Sequence, residues 1–210
     1  MRIAIIGAGN VGNALGGGWA SAGHEIVFGV RDPNDAKVQG VVRSVGGRAR
    51  AETVRDAVAQ SDIVTLATPW SATKDALTAA GSLSGKILVD ATNPLTPDLS
   101  GLVLGHTTSA AEQVAAWTPG AKVVKAFNTI GAQHMTNPRF GDQRASMFLC
   151  GDDAAAKQVV AGLATALGFE PVDAGPLTQA RLLEPLALLW ISMVYAYGQG
   201  PNIAFRLIRK

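Results

Sequence analysis

Residues 1–32, MRIAIIGAGNVGNALGGGWASAGHEIVFGVRD, place a glycine-rich turn between two apolar runs. The first run is Arg2 to Ile6, and the second, Glu25 to Val30, is followed by Arg31. Between them, residues 7–12 read GAGNVG, with glycine at the first, third and sixth positions. This order predicts a strand, a tight turn, a helix and a second strand, the unit that binds the pyrophosphate of a dinucleotide at its helix N-terminus.

The three glycines have different predicted tasks. Gly7 permits the tight turn, Gly9 lets the backbone approach the phosphates, and Gly12 lets the helix pack closely on the strand. A GxGxxG motif alone is weak evidence, but one that lies directly between two apolar strands is strong. The predicted phosphate-binding residues are Gly7, Ala8, Gly9, Asn10 and Val11.

Composition limits the class of protein. The chain has 210 residues, of which 48% are hydrophobic and 16% charged, so we expect one sizeable globular core. The net charge of +2, without a cluster of Lys or Arg, argues against a nucleic-acid partner. The single cysteine, Cys150, excludes an internal disulfide and is typical of a reducing compartment.

The sequence contains no pattern typical of a targeting or membrane-spanning segment. It enters its first predicted strand at residue 2, and its most apolar segment, Pro185 to Gly198, is too short to cross a bilayer. We therefore expect a cytoplasmic protein without a membrane partner. We interpret the apolar segment as a buried helix or as the contact between two subunits of a homodimer.

Further apolar strands alternate with helical patterns along the chain. The predicted strands are Ile63–Ala67, Ile87–Ala91, Lys122–Phe127, Ser146–Cys150 and Phe169–Val172, and predicted helix caps include Ser71, Thr178 and the pair Ser109 and Glu112. This alternation predicts an α/β fold, a Rossmann-type doubly wound and mostly parallel sheet. We assign residues 1–145 to the dinucleotide-binding domain and residues 146–210 to a small C-terminal α/β cap.

Five strand ends are predicted to form one crevice, because ligands of open parallel sheets bind beyond the carboxyl ends of the strands. These ends are Gly7 to Gly9, Val30-Arg31, Thr68-Pro69-Trp70, Thr92-Asn93-Pro94 and Ala126 to Thr129.

The end of the second strand indicates which dinucleotide binds. NAD enzymes usually place Asp or Glu there for the ribose hydroxyls, whereas this chain has Gly29, Val30 and Arg31. An arginine without a preceding carboxylate suits the 2′-phosphate of NADP by charge and by fork geometry. The alternative is a solvated Arg31 paired with Asp32. The missing acid and the present base together favour NADP(H).

Side chains for acid–base catalysis are scarce at these strand ends. His24, His106 and His134 all lie elsewhere, and no metal-ligand cluster or Ser-His-Asp set is visible, so we assign no catalytic residue and no metal. Asp90 lies inside a predicted strand, where a structural role is expected. Hydride transfer between two bound cofactors depends on alignment more than on proton transfer, and this scarcity is consistent with it.

Motifs along the rest of the chain resemble those of a known family. They are Gly29-Val30-Arg31, Gly85 to Asp90 with Asn93-Pro94, Val123 to Ile130, Cys150 to Asp153, Gly168-Phe169, and Asp173 to Leu177 with Arg181 and Glu184. On these motifs the chain resembles the F420-dependent NADP oxidoreductase family, whose enzymes exchange hydride between NADPH and the deazaflavin coenzyme F420. It is also similar to the reductase domain of the STEAP metalloreductases.

The resemblance implies the layout of the site. NADP would lie on Gly7 to Val11 and Arg31, with its nicotinamide near Thr68 and Pro69 and near Ala126 to Ile130. The acceptor would lie between that loop and the C-terminal helix, so that residues 146–210 complete its site. Asn93, Ala126, Asn128 and Thr129 thereby join the predicted cofactor-binding residues. Val30 stands where the family commonly has Ser or Thr, which predicts a weaker NADP preference.

Several functions remain open at this point. The leading one is an NADPH-dependent oxidoreductase with F420 or a flavin as hydride acceptor. The alternatives are an NADPH-dependent reductase of a small organic substrate or metal chelate, and a non-catalytic NADP(H)-binding sensor. A β-hydroxyacid or imine-type dehydrogenase fits less well, because such enzymes carry a large helical C-terminal domain for which residues 146–210 are too few.

Overall fold

The computed structural model describes residues 1–210 and contains ten strands and seven α-helices. The strands are β1 (Arg2–Ile6), β2 (Glu25–Val30), β3 (Ala49–Thr53), β4 (Ile63–Leu66), β5 (Ile87–Asp90), β6 (Lys122–Lys125), β7 (Arg139–Phe140), β8 (Gln143–Arg144), β9 (Ser146–Gly151) and β10 (Glu170–Asp173). The helices are α1 (Asn10–Ser21), α2 (Ala36–Val45), α3 (Val54–Ala59), α4 (Trp70–Ala80), α5 (Ala110–Trp117), α6 (Ala154–Ala166) and α7 (Ala180–Tyr195).

Eight strands form one sheet in the order β10-β9-β6-β5-β4-β1-β2-β3. Strands β1 to β6 are all parallel, and their order is that of the Rossmann fold. β9 runs antiparallel to β6, and β10 runs parallel to β9. The α/β, doubly wound and mostly parallel sheet predicted from the sequence is therefore confirmed.

Two apolar clusters cover the two faces of this sheet. Alternate residues of β1 enter different clusters: Ile3 and Ile5 pack with α1 and α6, whereas Ala4 and Ile6 pack with α3, α4 and α5. Successive side chains of a strand point to opposite faces, so a strand covered on both sides must be apolar throughout. This burial explains why the central strands appear in the sequence as continuous apolar runs.

The C-terminal segment continues the same sheet. β9 bonds to β6, so the sheet runs across the predicted boundary at residue 145. The end of the chain returns to β9, where the Ser146 N–H donates to the Phe205 carbonyl and the Leu207 N–H donates to Ser146 Oγ, each at 3.0 Å. A separate domain over residues 146–210 stays a prediction.

Two predicted helix caps are wrong. α4 begins at Trp70 with Pro69 at the cap position, so Ser71 lies inside the helix; the proline ring already holds φ at −56°. Thr178 lies in a short 3-10 turn that precedes α7. The cap at Ser109 is confirmed, since its hydroxyl accepts a hydrogen bond from the Glu112 N–H at 3.2 Å.

The short strands β7 and β8 pair antiparallel as a hairpin between β6 and β9. None of the seven helices has both the length and the apolar character needed to cross a membrane.

Candidate dinucleotide-binding site

The glycine turn between β1 and α1 has the geometry that each glycine requires. Gly7 has a φ of +106°, and a Cβ there would lie 2.6 Å from the Ala67 carbonyl oxygen. A Cβ on Gly12 would collide with the Gly7 carbonyl oxygen. Gly9, by contrast, has nothing within 4 Å of its Cβ position. The fold therefore requires glycine at positions 7 and 12, while Gly9 leaves space outside the turn.

The N-terminus of α1 is free of protein acceptors. Gly9 occupies its cap position without a side-chain hydrogen bond, its first turn has no acidic residue, and the N–H groups of Asn10 and Val11 have no acceptor in the protein. Four other helices, α2, α3, α5 and α6, are capped by side chains. An uncapped helix N-terminus with exposed N–H groups attracts an anion.

A cleft of about 890 Å³ opens beyond the carboxyl ends of β1, β2 and β4. It is lined by Ile6, Gly7, Ala8, Gly29, Val30, Arg31, Asp32, Asp35, Lys37, Val38, Val54, Thr68, Pro69, Ala72, Asp75, Ala76 and Ala79. Five predicted site residues are among them, namely Gly7, Ala8, Arg31, Thr68 and Pro69, and Gly9, Asn10 and Val11 follow directly in the chain. Three of the five predicted strand ends thus meet in one cleft.

Arg31 lines this cleft with an exposed guanidinium that forms no ion pair within 4.0 Å. Its neighbour Asp32 instead accepts a hydrogen bond from the Asn34 N–H at 2.9 Å. Asp35 likewise caps α2, accepting from the Lys37 N–H at 2.8 Å. The alternative pairing of Arg31 with Asp32 is therefore absent, and the Arg31 guanidinium is available to an anion, although Asp75 adds a carboxylate to the same cleft.

The other two strand ends are joined by a pair of amides. Asn93 Nδ2 donates to the Asn128 backbone oxygen at 2.9 Å, and Asn128 Nδ2 donates to Asn93 Oδ1 at 3.1 Å. Asn128 Nδ2 also donates to the Leu183 carbonyl of α7 at 3.0 Å. The structure thus brings Asn93 and Asn128 together, but neither is among the residues that line the cleft of Arg31.

The backbone after β6 is strained. Phe127 has a φ of +63°, a left-handed conformation that costs a residue with a side chain about 1–3 kcal/mol. It is fully packed, and its N–H donates to Met147 Sδ at 3.1 Å. Ala126 is fully buried and Thr129 is 3% exposed, so neither offers much accessible surface to a ligand.

A buried charge cluster beneath these loops was missed in the sequence. Lys125 Nζ donates to Asp90 Oδ2 at 3.0 Å and to the Thr92 carbonyl at 2.5 Å, and it lies 2.9 Å from Glu184 Oε1. All three charged side chains are buried. The Asp90–Lys125 pair could have been predicted from the strand register. Each residue interrupts an apolar run, and the two face each other across β5 and β6.

The Lys125 ammonium is not suited to proton transfer at neutral pH. Burial alone would lower the pKa of Lys125, but the Asp90 and Glu184 carboxylates outweigh it and raise the pKa above its ordinary value. Burial raises the pKa of the nearby Cys150 thiol to about 12. None of the three histidines lines the cleft, and no group of three or more metal-binding side chains is arranged to hold an ion.

The Rossmann sheet, the uncapped α1 and the cleft with its unpaired arginine define a dinucleotide-binding protein. The family model for the coenzyme F420-dependent NADP oxidoreductases matches residues 2–94. An F420-dependent NADP reductase from Methanothermobacter thermautotrophicus is 31% identical over 210 residues, covering 92% of this chain and 89% of that protein. The chain therefore belongs to the F420-dependent NADP oxidoreductase family, and it is an NADP-dependent oxidoreductase.

Two further similarities agree with this family. The crystal structure of a candidate F420-dependent NADP reductase from Arthrobacter sp. FB24 superimposes with a TM-score of 0.91 at 36% identity, covering 100% of both chains. The metalloreductase STEAP3 of Rattus norvegicus is 34% identical over 191 residues, which are 90% of this chain. The chain spans 37% of the length of that relative. The resemblance seen in the motifs is confirmed.

Proposed function

We propose that the protein transfers hydride between NADP(H) and a deazaflavin, F420, or a flavin acceptor. The observation that carries the proposal is the unpaired Arg31 in the cleft beside the uncapped N-terminus of α1. Membership of the family supports the choice of acceptor, because relatives named F420-dependent NADP reductases match this chain over most of its length.

The residues of the cleft fit the parts of a dinucleotide. Bound NADPH would supply a hydride from its nicotinamide ring. The N–H groups at the start of α1 would hold the pyrophosphate, because they have no acceptor in the protein. Arg31 would form a charge-assisted, bidentate contact with the 2′-phosphate, and Lys37 lines the same cleft. Val30 adds no hydrogen bond there, so the preference for NADP depends on these two cations.

The nicotinamide end would lie toward Thr68 and Pro69. The hydroxyl of Thr68 is held 3.0 Å from that of Thr73, which in turn donates to the Pro69 carbonyl at 3.1 Å. This network fixes the loop after β4 at the edge of the cleft. The role of the protein would be to align two rings and exclude water, since alignment is the main requirement of hydride transfer between cofactors.

The acceptor would lie between the loop after β6 and α7, as the family resemblance implies. The Asn128–Leu183 hydrogen bond supports this placement by joining the two elements. A metal chelate, reduced directly or through a flavin, is the second candidate, favoured by the similarity to the metalloreductase STEAP3. A small organic substrate would require a proton donor, and no histidine lines the cleft to serve as one.

We also propose that a second copy of the chain packs on α7. Leu182 and Leu189 are 65% and 50% exposed, and the half-buried Leu186 and Met193 continue their row. Spacings of three and four residues place side chains on one face of a helix. The proposed partners are a small-molecule acceptor and a second subunit. We propose that the protein acts in the cytoplasm and binds neither nucleic acid nor a membrane.

The test is to mix the purified protein with NADPH and separately with F420, FMN, FAD or a ferric chelate, and to follow NADPH absorbance. We expect oxidation with F420 or a flavin, and slower or no oxidation with the chelate alone. Tight NADPH binding without oxidation by any acceptor would contradict the proposal and favour the sensor.

A further inference from the structure

We propose that Lys125 is a positioning residue for the nicotinamide end of the site, acting through the amide pair of Asn93 and Asn128. Lys125 is fully buried and so touches no cofactor itself. It lies at the end of β6, directly beneath the two loops that carry the amide pair. The inference rests on the proposed function, because it assumes that these loops face the nicotinamide.

The Lys125 ammonium joins three parts of the chain. It donates to Asp90 in β5 and to the Thr92 carbonyl in the loop after β5, and it forms an ion pair with Glu184 in α7 at 2.9 Å. Two carboxylates and one carbonyl therefore lie around the ammonium. The side chain therefore fixes the backbone of the β5 loop at Thr92 while it joins that loop to α7.

The two carboxylates extend these connections. Asp90 Oδ1 accepts from the Thr92 N–H at 2.9 Å and from its hydroxyl at 2.7 Å. Glu184 accepts from the Ala110 and Ala111 N–H groups at 2.9 and 3.1 Å, which satisfies the start of α5. Both carboxylates are thus fully engaged, and the lysine ammonium is the cation that compensates two buried negative charges.

The connection to the amide pair follows the chain. Thr92, held by Lys125 at its carbonyl, directly precedes Asn93. Asn93 then exchanges two hydrogen bonds with Asn128, and Asn128 donates to the Leu183 carbonyl, next to Glu184. The cluster and the amide pair therefore form a closed circuit from β5 to β6 to α7 and back.

The assignment of the Asn128 amide is fixed by this circuit. Asn93 Oδ1 and the Leu183 carbonyl are both acceptors, so Nδ2 must face them, and Asn128 Oδ1 has no partner in the protein. An unsatisfied buried oxygen and the strained φ of Phe127 both cost free energy. A strained loop of this kind keeps its conformation only where the packed residues around it hold it in place. Lys125 lies beneath this loop and is one of those residues.

The experiment compares Lys125→Met with Leu163→Ala, a buried substitution in α6 that serves as the control for lost stability. Three quantities are measured at a temperature where circular dichroism shows every variant folded. The first is the affinity for 2′,5′-ADP, which probes the adenosine end alone. The second is the fluorescence of the reduced nicotinamide on NADPH binding. The third is the single-turnover rate of hydride transfer to F420 or FMN.

We expect Lys125→Met to keep the 2′,5′-ADP affinity, to change the nicotinamide fluorescence, and to slow hydride transfer at least about tenfold. Leu163→Ala should change none of the three. In an Asn93→Ala background the effect of Lys125→Met should shrink, because both changes interrupt one circuit. If Lys125→Met does not fold, Glu184→Gln, which removes a charge at nearly constant volume, takes its place with the same expectations in smaller degree.

Equal effects of Lys125→Met and Leu163→Ala, or full additivity with Asn93→Ala, would overturn the positioning role. The positioning role would also be overturned if NADPH binding to the wild-type protein left the nicotinamide fluorescence unchanged. A third outcome separates the two proposals. If Lys125→Met changes the nicotinamide fluorescence as expected, but the wild-type protein transfers no hydride to any acceptor, the positioning role is supported and only the proposed acceptor reaction is contradicted.

Discussion

Asp90 and Lys125 are direct register partners on β5 and β6, and their side chains form a fully buried ion pair with a nitrogen–oxygen distance of 3.0 Å. With Glu184 they place one positive and two negative charges in the interior, close to the ends of the strands. A buried ion pair is weak evidence of net stabilisation, but removal of one partner leaves an uncompensated charge. The cluster therefore has measurable consequences for stability.

Lys125→Met should lower the free energy of unfolding by about 3–5 kcal/mol, because two buried carboxylates lose their cation. Lys122→Met is a matched control on the same strand. Lys122 pairs with Asp153 at 3.1 Å, but its side chain is 43% exposed, and such a surface pair contributes about 0–1 kcal/mol. Urea titrations of both variants measure the difference, and equal losses would refute the buried-charge account.

The contribution of Lys125 should depend on pH in a defined direction. Its pKa is raised in the folded protein, so its stabilising effect is fully present below the unfolded value of about 10.4 and declines as pH rises through the folded value. The stability difference between wild type and Lys125→Met should therefore stay constant from neutral pH to about pH 9. A difference that vanishes within that range would contradict the raised pKa.

Cys150 should not react with thiol reagents in the folded protein. It is fully buried, and its pKa of about 12 keeps the thiol protonated at neutral pH. Ellman's reagent should find no accessible thiol in buffer and one per chain in guanidinium chloride. Fast labelling of the native protein would show that the region between β9 and the turn at Leu177 opens readily.

Gly9 and Gly12 should respond differently to alanine. Gly9→Ala adds a methyl group to open space at a φ of −79°, so it should leave stability nearly unchanged and weaken dinucleotide binding. Gly12→Ala should destabilise the fold, because its Cβ would collide with the Gly7 carbonyl. Thermal unfolding and NADPH titration separate the two effects. Undiminished NADPH affinity in Gly9→Ala would contradict the placement of the pyrophosphate.

The proposed dimer can be tested on the exposed face of α7. Leu182→Glu together with Leu189→Glu should give a monomer at micromolar concentration without loss of helix content, because both side chains are at least half exposed. Sedimentation velocity measures the change, and Leu207→Glu, a partly exposed site on the C-terminal tail, is the control. A wild-type protein that sediments as a monomer would contradict the dimer directly.

Local sequence patterns were sufficient for the sheet and for the half of the candidate site that lines the cleft of Arg31. The apolar runs predict the central strands, because each is covered on both faces, and the glycine spacing of residues 7–12 predicts the turn. Arg31 could be singled out because the strand before it ends without an acid. These features are set by residues that are close in the chain.

The other half of the site depends on residues far apart in the chain. Glu184 meets Lys125 only because α7 returns over the start of α5, and the bond between Asn93 and Asn128 requires the register of β5 and β6. Neither relation leaves a local pattern. The failed cap at Ser71 has a local cause, since Pro69 already provides the conformation that begins α4.

A contact between Arg31 and the 2′-phosphate of NADP can be measured by comparing the NADPH and NADH affinities of wild type and Arg31→Ala. Arg43→Ala, an exposed arginine on α2, is the control. We expect Arg31→Ala to weaken NADPH binding by about 1.5–3 kcal/mol and to leave NADH binding nearly unchanged, because one charge-assisted contact is lost. Equal losses for both dinucleotides, or no loss for either, would show that Arg31 does not bind the 2′-phosphate.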